Sequence, residues 1–482
     1  MNKKMIRYIL AKMLGVEALL LLLPAMVGIV YRETKESMAF LAPIALLVFI
    51  YVVWGRKKPE KSTFYGKEGM IIVASAWILW SAFGAMPFVI SGAIPNYIDA
   101  FFETVSGFTT TGSTILKDVE ALPQSMLFWR SFTHWIGGMG VLVFVMVLTG
   151  LDKKNTMHLM RAEVPGPEKD KLVPKMTDTA RILYGMYFAL TAVEVALLCL
   201  GGMNLFDSLI HSFGTAGTGG FSNYAASVGH FNSPYIEWVI TIFMIMFGVN
   251  FNLYFLILLN DYKSVWKNEE LRVYLFIIAA ATGAITLNIS HMYDDVMVAL
   301  RHAAFQVGTI ITTTGYATTD FNLWPMFSKT ILLILMVIGA CASSTGGGIK
   351  VSRFLIVLKS IKKEIKQVAH PKSVNIIRVN GKKMSSEIVK NVYIYLLSYV
   401  VIIVASVLLI SIDNMDFATT FSSVIATVNN IGPGIEAVGP MGSFADFSPF
   451  SKLVFCLDML AGRLEIFPFL ILFSVFKSRK RF

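Results

Sequence analysis

The run Phe101-Phe102-Glu103-Thr104-Val105-Ser106-Gly107-Phe108-Thr109-Thr110-Thr111-Gly112-Ser113 decides how the rest of the chain is read. It joins about ten apolar or small residues to a short polar run around a glycine, and a bilayer crossing needs about 20. Three other segments repeat the pattern: 209–220, ending Ala216-Gly217-Thr218-Gly219-Gly220; 305–316, ending Thr312-Thr313-Thr314-Gly315-Tyr316; and 421–433, ending Asn429-Asn430-Ile431-Gly432-Pro433. Each lies between two longer apolar stretches. A turn-prone apolar segment in that place is the signature of a helix that enters a membrane and returns to the same face.

The flanking stretches are read as ten spans: 13–31, 39–54, 69–91, 128–150, 182–201, 236–259, 273–289, 330–352, 389–412 and 452–476. Composition agrees, since 55% of the 482 residues are hydrophobic and only 15% charged, against about 25% charged in soluble domains. Basic residues orient the spans, because Lys and Arg near span ends stay in the cytoplasm. With the N-terminus inside, 34 of the 42 Lys and Arg fall on one side, eleven of them between Lys350 and Lys390. The tail Lys477, Arg479, Lys480 and Arg481 then also lies inside. The net charge of +11 therefore reads as topology and gives no support to nucleic-acid binding. Cys199, Cys341 and Cys456 are widely separated in apolar stretches and suggest neither a disulfide framework nor a zinc site. Lys3, Lys4 and Arg7 precede an apolar run too long for a cleavable signal.

Aligning Gly112, Gly219, Gly315 and Gly432 gives intervals of 107, 96 and 117 residues, each containing span, short helix, glycine loop and span. Near-constant self-similarity marks a repeat architecture. The expected fold is an all-α polytopic membrane protein with ten transmembrane helices. An N-terminal two-helix region (1–67) precedes four pseudo-symmetric repeats around one pore, at 68–165, 166–265, 266–365 and 366–482.

Irregular backbone at membrane depth survives only where it lines a polar path, because unpaired carbonyls in hydrocarbon cost several kcal/mol each. Glycine permits the positive-φ turns that aim successive carbonyls to one side. Four such loops would form rings of carbonyl oxygens replacing an ion's hydration shell. Thr110, Thr111, Thr218, Thr313 and Thr314 add uncharged oxygen, and no carboxylate lies in the loop cores. That argues against a divalent site and for a weakly hydrated monovalent cation.

These residues resemble the superfamily of ion transporters that contains the Trk, Ktr and HKT proteins. Further marks are Trp135-Ile136-Gly137-Gly138-Met139-Gly140, Gly248-Val249-Asn250-Phe251, Ser343-Ser344-Thr345-Gly346-Gly347-Gly348-Ile349-Lys350 and Ala461-Gly462-Arg463. Two extra N-terminal spans make the chain similar to the TrkH branch. The resemblance implies potassium uptake across the bacterial inner membrane through a channel-like pore, in a homodimer with both termini cytoplasmic. It implies a filter of backbone oxygens at Thr110, Thr111, Gly112, Thr218, Gly219, Thr313, Thr314, Gly315, Asn430, Ile431 and Gly432. Below it the resemblance places a gate formed by the stretch Gly339 to Lys350, including Ser343, Ser344, Thr345, Gly346, Gly347 and Gly348, and by Arg463 projecting into the pore. A cytoplasmic nucleotide-binding subunit of the TrkA type is the implied partner, with the basic loop as part of its docking face; this chain itself holds no nucleotide site.

Several residues admit plainer readings. The run Gly346-Gly347-Gly348-Ile349-Lys350 suits close helix packing through small residues. Arg463 can pair with Asp458 or Glu465. Arg130 and His134 open a span and can snorkel to the outer interface, and Glu17 and Glu194 suit packing better than a proton relay. An intramembrane enzyme would need a metal or nucleophile constellation, and His134, His291 and His302 have no partner at ligand spacing. A carrier of organic solutes predicts inverted repeats, whereas these four units share one orientation.

Overall fold

A computed structural model describes residues 2–60, 64–140, 176–373 and 375–471. The basic tail, most of the basic loop at 151–181 and parts of the expected spans 128–150 and 452–476 lie outside these residues. The chain is mostly helical. Among the described residues, six helices are long and apolar enough to cross a membrane: Lys3–Val30, Thr34–Gly55, Gly66–Ser91, Arg181–Leu200, Glu269–Met292 and Ser386–Asp413. A bent pair, Pro234–Phe247 with Phe251–Leu258, makes a seventh if taken as one span.

In chain order, α1 (Lys3–Leu20) and α2 (Leu22–Val30) make the first apolar rod, and α3 (Thr34–Ala39) and α4 (Leu41–Ile50) return beside it. Next come α5 (Gly66–Gly84), α6 (Met86–Ser91), the short α7 (Tyr97–Phe108) and α8 (Gln124–Gly138). Then follow α9 (Met176–Leu200), α10 (Leu205–Gly217), α11 (Pro234–Phe247), α12 (Phe251–Leu258), α13 (Tyr262–Lys267), α14 (Glu269–Ile289), α15 (Val296–Ile311) and α16 (Met326–Val337). The chain ends with α17 (Val351–Ala369), a two-stranded hairpin of β1 (Arg378–Val379) and β2 (Lys382–Lys383), α18 (Ser386–Ile410), α19 (Phe417–Asn429) and α20 (Pro449–Arg463).

The outer surface is that of a membrane protein. Along α18, Tyr395, Tyr399, Ile403, Ser406 and Ile410 are buried at helical spacing, yet Leu397, Val400, Val401, Val404 and Leu408 on the other face are exposed and equally apolar. A helix apolar on both faces is stable only where its outward side meets lipid.

Two expected spans are broken. The stretch 236–259 is not one rod: α11 and α12 meet at 93°. Gly248 sits there against Tyr274 and Thr312, where a side chain would collide, and Asn250 caps the new helix through the Asn252 N–H at 2.9 Å. The stretch 330–352 stops at Val337, and residues 338–350 run without helix until α17 begins, as the glycine-rich sequence implied. This segment is closed on itself by Gly339 N–H to Ile349 O at 2.8 Å and Val351 N–H to Ala340 O at 3.2 Å.

Candidate ion pathway

Four short helices, α7, α10, α15 and α19, carry the glycine loops. They hold 12, 13, 16 and 13 residues, or about 18 to 24 Å at 1.5 Å per residue, less than the hydrocarbon thickness of about 30 Å. Each begins with an Asx cap: Asn96, Asn204, Asp295 and Asp416 accept from a backbone N–H of the first turn. Each ends in the same double bond pattern. Thr111, Gly219, Thr314 and Ile431 donate to Ser106, Gly214, Thr309 and Ala426 at 2.8 to 3.0 Å, while Thr110, Thr218, Thr313 and Asn430 donate to the carbonyl three residues back. This is the Schellman ending, which requires a left-handed residue at the turn.

That residue is Thr110, Thr218, Thr313 or Asn430, with φ of 55°, 55°, 62° and 56°. Positive φ at a β-branched threonine is a true outlier, so three of the four loops are strained at one equivalent position. Two residues on, φ is positive again at Gly112, Gly220, Gly315 and Gly432. The backbone therefore pairs Gly220, one residue beyond Gly219, with the other three glycines, and Gly219 with Thr111. In sequence the Gly217-Thr218-Gly219-Gly220 run offers several registers, and the φ pattern separates them.

The glycines also fix the mutual arrangement of the loops. A side chain on Gly112 would strike the Gly219 carbonyl, one on Gly220 the Thr314 carbonyl, one on Gly315 the Ile431 carbonyl, and one on Gly432 the Thr111 carbonyl at 2.8 Å. Loop one thus abuts loop two, two abuts three, three abuts four, and four returns to one. In every case the neighbour presents the carbonyl just before its own glycine. Gly112, Gly220, Gly315 and Gly432 all line a single cavity of about 350 Å³.

Buried side chains brace this ring. Arg130 pairs with Glu103 at 2.6 Å, donates to the Ser222 carbonyl at 2.9 Å and lies over the Phe221 ring at 3.5 Å. Glu103 also accepts from Thr114 Oγ1 and the Ile115 N–H, and His134 stacks on Phe221 at 4.1 Å. Arg130 and His134 are 3% and 0% exposed, so they do not snorkel outward; they join loop one to loop two. Tyr316 donates to the His211 carbonyl at 2.9 Å, and Tyr399 shares two bonds with Asn429. Sequence reasoning passed over Glu103, whose signal was a carboxylate inside an apolar short helix, where a charge needs a partner.

Beneath the ring lies the 338–350 segment. The Gly347 N–H donates to Thr313 Oγ1 at 2.6 Å, and Gly346 and Gly347 leave no room for a side chain beside Thr312 and Asn429. Lys350 turns its ammonium back onto the Gly346 and Gly347 carbonyls. Arg463 donates to Thr110 Oγ1 at 3.2 Å, the Thr345 carbonyl at 2.9 Å, and the Gly137 and Gly138 carbonyls at 2.5 and 2.7 Å. It therefore ties loop one to the segment. Asp458 instead accepts from Ser406 at 2.6 Å, and Glu465 pairs with Arg353. Ser343 and Ser344 are within the segment, their bonds running from the Phe251 N–H and to the Cys341 carbonyl.

The family described as "TrkH: Cation transport protein" matches residues 35–482. The chain belongs to the TrkH family. It is 36% identical over 460 residues to the Trk system potassium uptake protein TrkH of Salmonella typhimurium, covering 94% of this chain and 95% of that one. It is 35% identical over 475 residues to the TrkH of Vibrio parahaemolyticus, covering 97% of each. The crystal structure of the potassium transporter TrkH from Vibrio parahaemolyticus superposes with a TM-score of 0.87 at 33% identity, covering 98% of both chains. The TrkH family and these relatives are ion transporters, not enzymes.

Proposed function

We propose that this chain takes up potassium through a pore on the axis of the four loops. The observation that carries the reading is the closed cycle of glycine–carbonyl contacts around one cavity, together with the potassium uptake named for its relatives. A ring of carbonyls from four loops suits a monovalent cation that sheds its water readily, and the helix C-termini at the loops add negative potential. Thr110, Thr111, Gly112, Thr218, Gly219, Thr313, Thr314, Gly315, Asn430, Ile431 and Gly432 form the filter, with Gly220 as a further member. The membrane potential supplies about 2.3 kcal/mol per charge per 100 mV.

The architecture of this reading has ten spans. The six long helices and the bent α11–α12 pair are completed by α8, the interrupted α16–α17 pair and α20, and four repeats bounded near 68, 166, 266 and 366 follow two N-terminal spans. The protein sits in the bacterial inner membrane with both termini in the cytoplasm, as a homodimer. The segment from Gly339 to Lys350 and Arg463 close the pore, and a cytoplasmic nucleotide-binding subunit of the TrkA type opens it. That subunit docks on the basic face around 350–390.

Rubidium-86 uptake into liposomes carrying the full-length protein tests the function. Uptake competed by potassium and not by sodium is the expected result; uptake no greater than that of empty liposomes refutes it. Arg463→Ala tests the gate and should raise uptake by removing the side chain that bridges Thr110 of loop one, Thr345 of the segment and the C-terminal carbonyls of α8; unchanged or lower uptake removes Arg463 from the gate.

A further inference from the structure

Glu270, the second residue of α14, is buried and stands outside every motif singled out in the sequence. Its Oε1 accepts two backbone N–H bonds, from Ala342 at 2.7 Å and from Ser352 at 3.0 Å. Ala342 belongs to the 338–350 segment, and Ser352 is the second residue of α17. That helix needs an outside acceptor: its N-cap is Lys350, which makes no side-chain capping bond, and first-turn N–H groups have no partner within the helix. A carboxylate is the favoured group there because the helix dipole is positive at that end. One oxygen thus joins the blocking segment, the helix that follows it and the start of α14.

The preceding residue is tied the other way. The Glu269 N–H donates to Asn380 Oδ1 at 2.7 Å, at the turn between β1 and β2, and the Glu269 carboxylate pairs with Lys359 of α17. Lys359 donates in turn to the Arg378 carbonyl at 2.7 Å. Adjacent residues therefore connect the basic hairpin to the segment beneath the filter.

We propose that Glu270 is the positioning residue that latches the segment closed, and that displacement of the β1–β2 hairpin, passed through Glu269, releases it. The inference rests on the reading of 338–350 as the gate. Letting go of Ala342 leaves the carboxylate still bonded to Ser352, so release does not strand a bare buried charge, which would be far more costly. Backbone bonds that tie the segment to α11 and α12, Cys341 N–H to Gly248 O at 3.0 Å, Thr345 N–H to Phe247 O at 3.4 Å and Phe251 N–H to Ser343 O at 3.1 Å, join neutral groups and are individually weaker than one to a carboxylate.

The test compares Glu270→Ala, Glu270→Gln and Arg463→Ala in the full-length protein in liposomes, with rubidium-86 uptake at a fixed gradient. A second readout is the modification rate of the native Cys341 thiol, next to Ala342 and fully buried, in a Cys199→Ser, Cys456→Ala background. The latch predicts that Glu270→Ala raises uptake about tenfold, as expected for losing a bond to a charged acceptor. It also predicts faster Cys341 labelling and an intermediate effect of Glu270→Gln, whose amide oxygen still accepts. A purely structural role would lower uptake with thermal stability and leave Glu270→Gln no better than Glu270→Ala, and that result overturns the proposal. If Arg463→Ala raises uptake while both Glu270 variants match the parent, the latch fails and the gate stands. If neither site raises uptake, the gate reading fails and the latch with it.

Discussion

Gly315→Ala offers the sharpest trial of the filter geometry. At Gly315 φ is +88°, and a Cβ would fall onto the Ile431 carbonyl oxygen and within 2.9 Å of Pro433 Cδ. Left-handed backbone costs a residue with a Cβ about 1–2 kcal/mol, and overpacking adds about 1–3 kcal/mol. The first cost is local, but the second can be relieved only by moving the Ile431 carbonyl, one member of the ring. A thousandfold preference for potassium over sodium would rest on about 4 kcal/mol, so a distortion of about 1.4 kcal/mol lowers it tenfold. Gly92 supplies the control: its φ is +81° with open space around the position. Gly92→Ala pays the backbone strain without the collision. Reversal potentials under potassium and sodium gradients should show selectivity reduced at least tenfold in Gly315→Ala and unchanged in Gly92→Ala. Equal selectivity in Gly315→Ala and the parent, or equal loss in both variants, would refute the argument.

Loop two separates the registers. A Cβ on Gly219 meets the His134 ring, whereas one on Gly220 meets the Thr314 carbonyl and the Gly315 backbone. Damage to uptake by Gly219→Ala should therefore be partly rescued by His134→Ala, while Gly220→Ala should stay defective in that background; rescue of both would return the alignment to Gly219. Glu103→Ala leaves Arg130 buried and unpaired by its carboxylate, which should cost about 3–5 kcal/mol, and a melting temperature equal to the parent's would show that the ion pair carries no such burden. Replacing both, as Glu103→Gln with Arg130→Met, should restore much of the thermal stability but not uptake, because the Ser222 carbonyl and Ile115 N–H lose their charged partners; full uptake would count against the bracing role.

The parts of the fold that could be read from sequence are those governed by apolar run length and glycine placement. The four short helices were visible because each is too short to span and ends in a glycine loop, and 339–348 was visible because glycines crowd a stretch too apolar to be a surface loop. The bend at Gly248 was not, since a single glycine inside an apolar run is tolerated in a straight helix; what requires glycine there is the close approach of Tyr274 and Thr312, distant in sequence. Arg130 was misjudged for a related reason: position near a span end suggests an interfacial charge, and only the packing of Glu103 and Phe221 around it reveals a buried one. Glu270 gave no local signal at all, because its partners are backbone N–H groups more than seventy residues away.

The strained residues link the filter to what lies beneath it. A glycine would suit the left-handed position of each Schellman ending at least as well, yet Thr110, Thr218 and Thr313 stand there. Two of those hydroxyls do what glycine cannot. Thr110 Oγ1 accepts from Arg463, and Thr313 Oγ1 accepts from the Gly347 N–H. In the fourth loop Asn430, which tolerates this conformation, donates through its amide to Thr111 Oγ1 and the Met459 carbonyl, both at 2.9 Å. At Thr110 and Thr313 the strain is thus retained where a polar side chain hangs from the turn itself, toward Arg463 and the 338–350 segment, whereas Thr218 Oγ1 donates locally to the Gly217 carbonyl at 2.6 Å. In the proposed reading the floor of the filter is also the seat of the seal. Under the proposed gating, withdrawal of the segment takes the Gly347 N–H from Thr313 Oγ1, while Thr110 Oγ1 keeps its bond from Arg463 of α20 unless that side chain moves as well. In that reading the freed Thr313 hydroxyl oxygen, at the end of a carbonyl-lined path, is suited to receive a cation, which would couple opening to ion occupancy through Thr313.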